Sequence, residues 1–344
     1  MPQSFLQRVC ALLLLLTSTV SFADQLIIEP DMGRAPIANY LESAKHSVDL
    51  VIYGFTDDTL LSVLLRQQQQ GKLVRVIMEQ RPYKNENQNE KTLNTFKKHK
   101  LAWQGNIKPF RFIHQKTILI DDRSVLVMTF NFTKSSFKNQ RNFGLIIDNP
   151  EQVKAINQLF NADWNHQPIR VNHSSLIISP DNSRAKLIEL IQQTKSTLQI
   201  YAQSVNDNKV IDALTAAARR GVKIEILTSN PLRKKQANAL HSTDINLHRS
   251  KKLYIHAKVF IFDHQKAVIG SINLTRASLD DNRELAVITE DTNVIKQLND
   301  VFTRDWNNTE SISHGSHIRS ASILTEKNVK AAIKFMQRVM KSVD

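Results

Sequence analysis

The chain has 344 residues, enough for two domains that each bury a core, and 41% hydrophobic residues with 8 Gly and 9 Pro exclude a low-complexity polymer. A single cysteine, Cys10, excludes a disulfide framework and a cysteine-built metal cluster. The formal charge of +14 favours anionic partners, either phospholipid at an anionic membrane surface or nucleic acid, without choosing between them.

In chain order, Arg8 precedes an apolar run from Val9 through Leu16, and Ser21-Phe22-Ala23 offers small residues where a signal peptidase reads. Residues 1–23 are therefore expected to be a signal peptide that directs the protein to the periplasm or out of the cell. The run is shorter than the roughly 20 residues of a spanning helix. Cys10 lies before the apolar run, which argues against a lipoprotein anchor. Without this segment the charge is +13.

Leu26-Ile27-Ile28-Glu29-Pro30-Asp31 opens a pattern that Leu176-Ile177-Ile178-Ser179-Pro180-Asp181 opens again 150 residues later. Each start leads into a helical stretch (35–45, 185–195), an apolar strand (48–53, 198–201), a helix ending at Gly71 or Gly221, and another strand (74–78, 224–227). The polar stretch 81–100 holds the extra length of the first half, and its run Lys97-Lys98-His99-Lys100 reads as a solvated face or a basic rim.

Next comes His114-Gln115-Lys116, an apolar strand, and Asp121; the second half repeats it as His256-Ala257-Lys258 and Asp263. Alternate residues of a strand share a face, so each His points the same way as its Lys. One such motif alone is as readily a surface strand with a stray histidine. Here the 142-residue offset also relates Asn131 to Asn273, Thr133 to Thr275, Arg141 to Arg283, Phe160 to Phe302, Asp163 to Asp305 and Trp164 to Trp306. Coincidence does not hold one offset through so many pairs. The two Trp are expected to anchor cores.

Alternation of strand and helix predicts an α/β fold. The expected division is a signal over 1–23, two similar domains over 24–168 and 169–320, and a basic amphipathic helix over 321–344. Along that tail Val329, Ile333, Met336 and Val339 form a stripe, which either packs on its own domain or docks on anionic lipid.

These motifs resemble the phospholipase D superfamily, whose signature is HxKxxxxD followed by GSxN. The second copy matches in full through Gly270-Ser271-Ile272-Asn273, whereas the first reads Met128-Thr129-Phe130-Asn131, with Thr129 standing for Ser and Met128 expected to narrow the pocket. The resemblance implies two α/β domains related by pseudo-twofold symmetry, with the active site at their interface, and phosphodiester cleavage without metal or other cofactor. It implies a catalytic set of His114, Lys116, Asp121, His256, Lys258 and Asp263, with support from Asn131, Asn273, Ser271 and Glu284.

The chemistry needs these residue types. One neutral imidazole attacks phosphorus, and the other protonates the leaving oxygen and then activates the acceptor. The lysines and Asn side chains neutralise the phosphoryl oxygens. Asp121 and Asp263 are assigned mainly to holding the motif in shape. Glu284 falls where this family often has a carboxylate that fixes the histidine tautomer, and Asn142 is its counterpart, so the two histidines are unequal. By resemblance the first is the nucleophile.

The function expected is a secreted phospholipase D hydrolysing glycerophospholipids, with transfer to alcohols as a side reaction, acting as a monomer because both motifs lie in one chain. The alternative is a metal-independent endonuclease of the same superfamily acting on nucleic acid. A non-catalytic phosphate-binding protein is a third reading, set against it by intact His and Lys in both halves. Cardiolipin synthesis is disfavoured because such enzymes usually carry membrane helices.

Overall fold

The computed structural model describes residues 24–105, 107–230, 234–241 and 243–311. The expected signal and C-terminal helix lie outside the described residues. The first half runs β1 (Gln25–Glu29), α1 (Ala35–Glu42), β2 (Ser47–Ile52), α2 (Asp58–Gln69), β3 (Leu73–Met78), α3 (Glu90–Lys98), β4 (Ala102–Gln104), β5 (Thr117–Ile120), β6 (Ser124–Met128), β7 (Gln140–Ile147) and α4 (Pro150–Trp164). The second repeats it as β8 (Leu176–Ser179), α5 (Ser183–Gln193), β9 (Thr197–Ala202), α6 (Asn208–Arg219), β10 (Lys223–Thr228), α7 (Lys234–His241), β11 (Ile245–Ser250), β12 (Tyr254–Ile255), β13 (Lys258–Phe262), β14 (Lys266–Gly270), β15 (Glu284–Thr289), α8 (Thr292–Trp306) and β16 (Thr309–Ser311). A π-helical turn, Ala277–Asp281, sits between β14 and β15.

Among the described residues each half carries one mixed sheet, ordered β1-β7-β6-β5-β2-β3-β4 and β8-β15-β14-β13-β9-β10-β11, the second extended by β16. The same order twice is the architecture the repeat predicts. Asp57 and Asp207 cap α2 and α6 by accepting from Leu60 and Val210 backbone N–H. Both helices end before a glycine, Gly71 or Gly221, whose φ of +82° or +92° suits a residue without Cβ. The run Lys97-Lys98-His99-Lys100 is exposed, a solvated face, while just ahead of it Thr92 and Phe96 on α3 are buried, and their spacing of four makes this polar helix amphipathic.

Among the described residues three apolar layers hold the molecule. Two lie on the outer faces of the sheets, and the third is shared, drawing Val127, Phe143 and Phe160 from one half and Tyr201, Val259 and Phe302 from the other. Trp164 and Trp306 pack against this shared layer. Truncating one of its Phe residues costs about 3–5 kcal/mol, which is a large part of the 5–15 kcal/mol that ordinarily separates folded from unfolded. The halves therefore stand or fall together. Buried arginines cross the same boundary: Arg141 pairs with Asp305 at 2.7 Å and Arg283 with Asp163 at 2.9 Å. This is why the repeat preserves both residue types.

The halves also share backbone. β12 pairs in parallel with β7 of the other sheet, and Ile113 bridges Arg283 in the mirror-image contact. Each crossing immediately precedes a motif histidine.

Candidate active site

The crossings place the histidines. Arg283 O accepts from the backbone N–H of His114 and Gln115 at 3.0 and 2.9 Å, and Arg141 O accepts from His256 and Ala257 at 3.2 and 3.0 Å. The residue after each arginine then reaches the histidine opposite. His114 Nδ1 lies 2.7 Å from Glu284 Oε2, and His256 Nδ1 lies 2.9 Å from Asn142 Oδ1. The orienting groups are thus exchanged between halves. A carboxylate accepts only, so Glu284 keeps the proton on Nδ1 and leaves the Nε2 lone pair of neutral His114 free.

Both lysines are buried, and each ammonium turns back to the carbonyl of its own histidine: Lys116 Nζ donates to His114 O, and Lys258 Nζ to His256 O. Lys258 also donates to Gln203 Oε1 at 2.7 Å, while Lys116 sits 5.5 Å over the Tyr53 ring, whose edge meets His114 at 4.8 Å. Burial pushes the Lys116 ammonium down to about 7 against the pull of Glu284. Burial, helped by Lys116, pushes Lys258 well below the usual lysine range.

Burial likewise pushes His114 down to about 4, although Glu284 draws it upward, and His256 falls well below its ordinary value through burial, Lys258 and Lys116. Glu284 is fully buried, yet His114, Lys116 and Ser278 together more than offset the burial and hold it below the usual carboxylate range. The site gathers two histidines and two lysines around one carboxylate, so an anion placed there would favour their charged forms.

The geometry can be set beside known proteins. A family model described as "Cardiolipin synthase, PLD-like domain" matches residues 37–164 and again residues 187–306. The chain belongs to the phospholipase D superfamily. A protein named Phospholipase D from Rickettsia prowazekii (strain Madrid E) is 25% identical over 168 residues, covering 46% of this chain and 80% of that protein. The mitochondrial cardiolipin hydrolase of Mus musculus is 25% identical over 130 residues, covering 37% of this chain and 59% of that protein. Among solved structures, phosphatidylserine synthase from Haemophilus influenzae Rd KW20 superposes with a TM-score of 0.71 over 91% of this chain and 94% of that one, at 11% identity. Polyphosphate kinase from Porphyromonas gingivalis gives 0.69 at 19% identity, over 84% of this chain and 48% of that one. At these identities the structural likenesses speak for the fold alone.

Not every signature residue of the superfamily reaches the site in this chain. Asn273 lines a cavity of about 800 Å³ that opens at His114, together with Tyr53, Ser278 and Asn282. Asn131 Oδ1 accepts from Gly54 N–H at 3.3 Å. Ser271 is fully buried, exchanging hydrogen bonds with the Leu285 backbone at 3.3 and 3.2 Å, so it supports β15 beside Glu284. Thr129 does the same for Phe143 at 2.9 Å and also donates to Asn142 Oδ1 at 3.0 Å.

The expected narrowing by Met128 is corrected: this side chain is fully buried in the outer apolar layer and does not line the cavity. The register explains how the sheet accommodates it. Met128 faces Gly144, whereas Gly270 faces Ala286, and a Cβ on Gly270 would come within 2.4 Å of Ala286 Cα. The bulk has exchanged strands.

Asp121 and Asp263, counted in the catalytic set by resemblance, lie at the far ends of β5 and β13 from the histidines. Asp121 accepts from the backbone N–H of Lys45, His46 and Ser47 at 2.8, 2.7 and 2.8 Å, and Asp263 repeats this with Lys195, Ser196 and Thr197 at 2.9, 2.7 and 3.0 Å. Burial would raise both carboxyls, but these donors hold them below the usual range. Asp121→Ala is expected to cost about 2–3 kcal/mol, since a charge-assisted acceptor is lost. The check is a denaturant titration alongside turnover at a permissive temperature, where the surviving folded fraction should stay active.

Two residues escaped the motif. Ser278 Oγ and Asn282 Nδ2, the latter at 3.2 Å, both donate to Glu284 Oε1. Ser278 Oγ accepts in turn from Asn273 N–H at 2.8 Å. The 142-residue offset pairs Ser278 with Ser136, which is the signal that would have found it.

Proposed function

We propose that this superfamily member is a phosphodiesterase of the phospholipase D type that hydrolyses glycerophospholipids through a phosphohistidine on His114. The carrying observation is the 2.7 Å contact between His114 Nδ1 and Glu284. His114 Nε2 attacks phosphorus and the bond to the head-group oxygen breaks, while His256 gives that oxygen a proton. The phosphorylated ring bears phosphorus on Nε2 and a proton on Nδ1, so it is cationic, and Glu284 stabilises it. Neutral His256 then takes a proton from water, whose oxygen displaces His114 and releases phosphatidic acid. An alcohol in place of water yields a new phosphatidyl ester.

Asn142 accepts a hydrogen bond without adding charge, so a proton on His256 is loosely held and readily given up. Lys116 and Lys258 are placed to meet the equatorial oxygens. Phospholipid as substrate is supported by the names of the Rickettsia and mouse relatives and by the formal charge of +14, which favours an anionic surface. Residues 1–23 are proposed as a secretory signal that places a monomeric enzyme in the periplasm or outside the cell. Recovery of a chain beginning at Asp24 from that compartment tests the assignment.

A metal-independent nuclease is the second reading, favoured by the basic wall of the cavity. Protein assayed in EDTA on phosphatidylglycerol vesicles and on plasmid DNA separates them: release of phosphatidic acid with intact plasmid is expected, and nicked plasmid with intact lipid overturns the lipid assignment. In the same assay the pH profile of kcat/KM should have an acid limb set by His114 and an alkaline limb set by His256. Below about 4 His114 is protonated and loses its lone pair, and with rising pH His256, held below its ordinary value by burial, Lys258 and Lys116, loses the proton it must give before Lys116 loses its charge near 7. An optimum above pH 8 contradicts this assignment of the limbs.

A further inference from the structure

The cavity at His114 is unequal on its two sides. Its first-half wall is aromatic, made by Tyr53, Tyr83 and Phe112, and Tyr83 lies in the connection between β3 and α3, which is longer than its counterpart between β10 and α7. Tyr83 is 61% exposed and so stands at the rim. Three rings around one opening would ordinarily suit a quaternary ammonium group, which binds aromatic faces. Here each ring already carries a cation of this chain: Lys116 over Tyr53 at 5.5 Å, Lys84 over Tyr83 at 5.3 Å, and Arg111 over Phe112 at 5.3 Å.

The opposite wall adds more positive charge. Lys209 and Arg276 line it, and Arg276 is 83% exposed and only touches Asp280 at 4.0 Å. The carboxylates there are already engaged. Arg184 donates to Asp207 at 2.9 Å and to Asp280 at 2.7 Å, and Asp207 also caps α6. Arg111 and Lys209 form no ion pair among the described residues. A cationic head group entering this opening would meet like charge on both walls and no free carboxylate.

We propose that this opening screens head groups by charge, admitting uncharged polyol and phosphate-bearing head groups and turning away quaternary ammonium, with Arg111, Lys209 and Arg276 as the specificity-determining residues. The proposal rests on the phospholipid reading and names its substrate class. Choline carries its charge two carbons beyond the scissile oxygen, so the ammonium stays close to the reacting phosphate however the head group turns. Among the described residues none of the three is hydrogen-bonded to a motif histidine or lysine, so they are placed to discriminate without taking part in bond breaking.

The test uses monomeric dihexanoyl phosphatidylglycerol and dihexanoyl phosphatidylcholine below their micelle concentrations, which removes attraction to a charged surface. Full-length protein should favour the glycerol head group in kcat/KM by about tenfold, since several exposed charges each contribute modestly. The double variant Lys209→Ala/Arg276→Ala should raise kcat/KM on the choline lipid and bring the ratio toward one, with kcat on the glycerol lipid little changed. Arg276→Glu should move the ratio further in the same direction. Glycerol 3-phosphate should inhibit wild type more strongly than choline does, and the double variant should narrow that difference, the remainder being the phosphate's contact with the motif lysines. Equal rates on the two lipids in wild type, or a ratio unmoved by either variant, overturn the charge screen and leave the phospholipase reading standing. Cleavage of neither lipid overturns both, and if a single-stranded oligonucleotide is then cut in EDTA the basic wall belongs to a nuclease.

Discussion

His114→Ala and His256→Ala should each lower steady-state turnover by about 10³-fold or more, and the double variant should be no worse than the poorer single one. The two rings perform different steps of one reaction, so removing either leaves the other without a partner, and losses within such a unit do not add. The structure gives this a geometric basis: each ring is held by a residue of the opposite half, with Glu284 on His114 and Asn142 on His256. A substrate whose leaving group needs no proton separates the roles. With a p-nitrophenyl ester, His256→Ala should still release one equivalent of nitrophenolate and stall as an acid-labile phosphoenzyme, whereas His114→Ala should release none. Half the wild-type rate in either single variant would mean two independent sites, and a burst in His114→Ala would move the nucleophile to His256.

Much of this arrangement was legible in the sequence because it was written twice. The repeat at one offset marked the paired histidines, lysines and asparagines, the crossing arginines and the Trp anchors, and apolar strands between turn residues gave the α/β order. Three things were not legible. Periodicity reports which residues share a face within a strand but not which strand of the other half lies against it, so the exchange of Glu284 and Asn142 across the interface needed the pairing of Ile113 with Arg283. A motif written as one string shows Asp121 at the end of its strand but not what it binds there: the four residues of β5, Thr117–Ile120, carry it away from His114 to the backbone at Lys45 to Ser47. The bulk of Met128 could not be located without its cross-strand partner, Gly144, which makes room for it.

Glu284→Gln should be nearly as damaging as loss of a histidine, with kcat falling by about 10²–10⁴-fold. The reason lies in the donors around the carboxylate. Ser278 Oγ accepts from Asn273 N–H at 2.8 Å, so its own proton is directed to Glu284 Oε1, and Asn282 Nδ2 donates to the same oxygen at 3.2 Å. A glutamine must therefore turn its carbonyl toward Ser278 and Asn282, which leaves its NH2 facing His114 Nδ1. Donor then meets donor unless His114 moves its proton to Nε2, and that tautomer has no lone pair for phosphorus. The charge also disappears. Glu284 raises the His114 pKa against burial, so its removal lowers that pKa and should move the acid limb of whatever activity remains to lower pH. Asn142→Asp is the contrasting change: a carboxylate beside His256 raises that pKa, and the alkaline limb should move to higher pH with a much smaller change in kcat. Glu284→Asp, which restores charge and acceptor on a shorter arm, should recover part of the lost rate, while a merely structural role would leave Gln better than Asp because Gln keeps the volume. Wild-type kcat and an unmoved acid limb in Glu284→Gln would remove Glu284 from the mechanism, and with it the assignment of His114 as nucleophile.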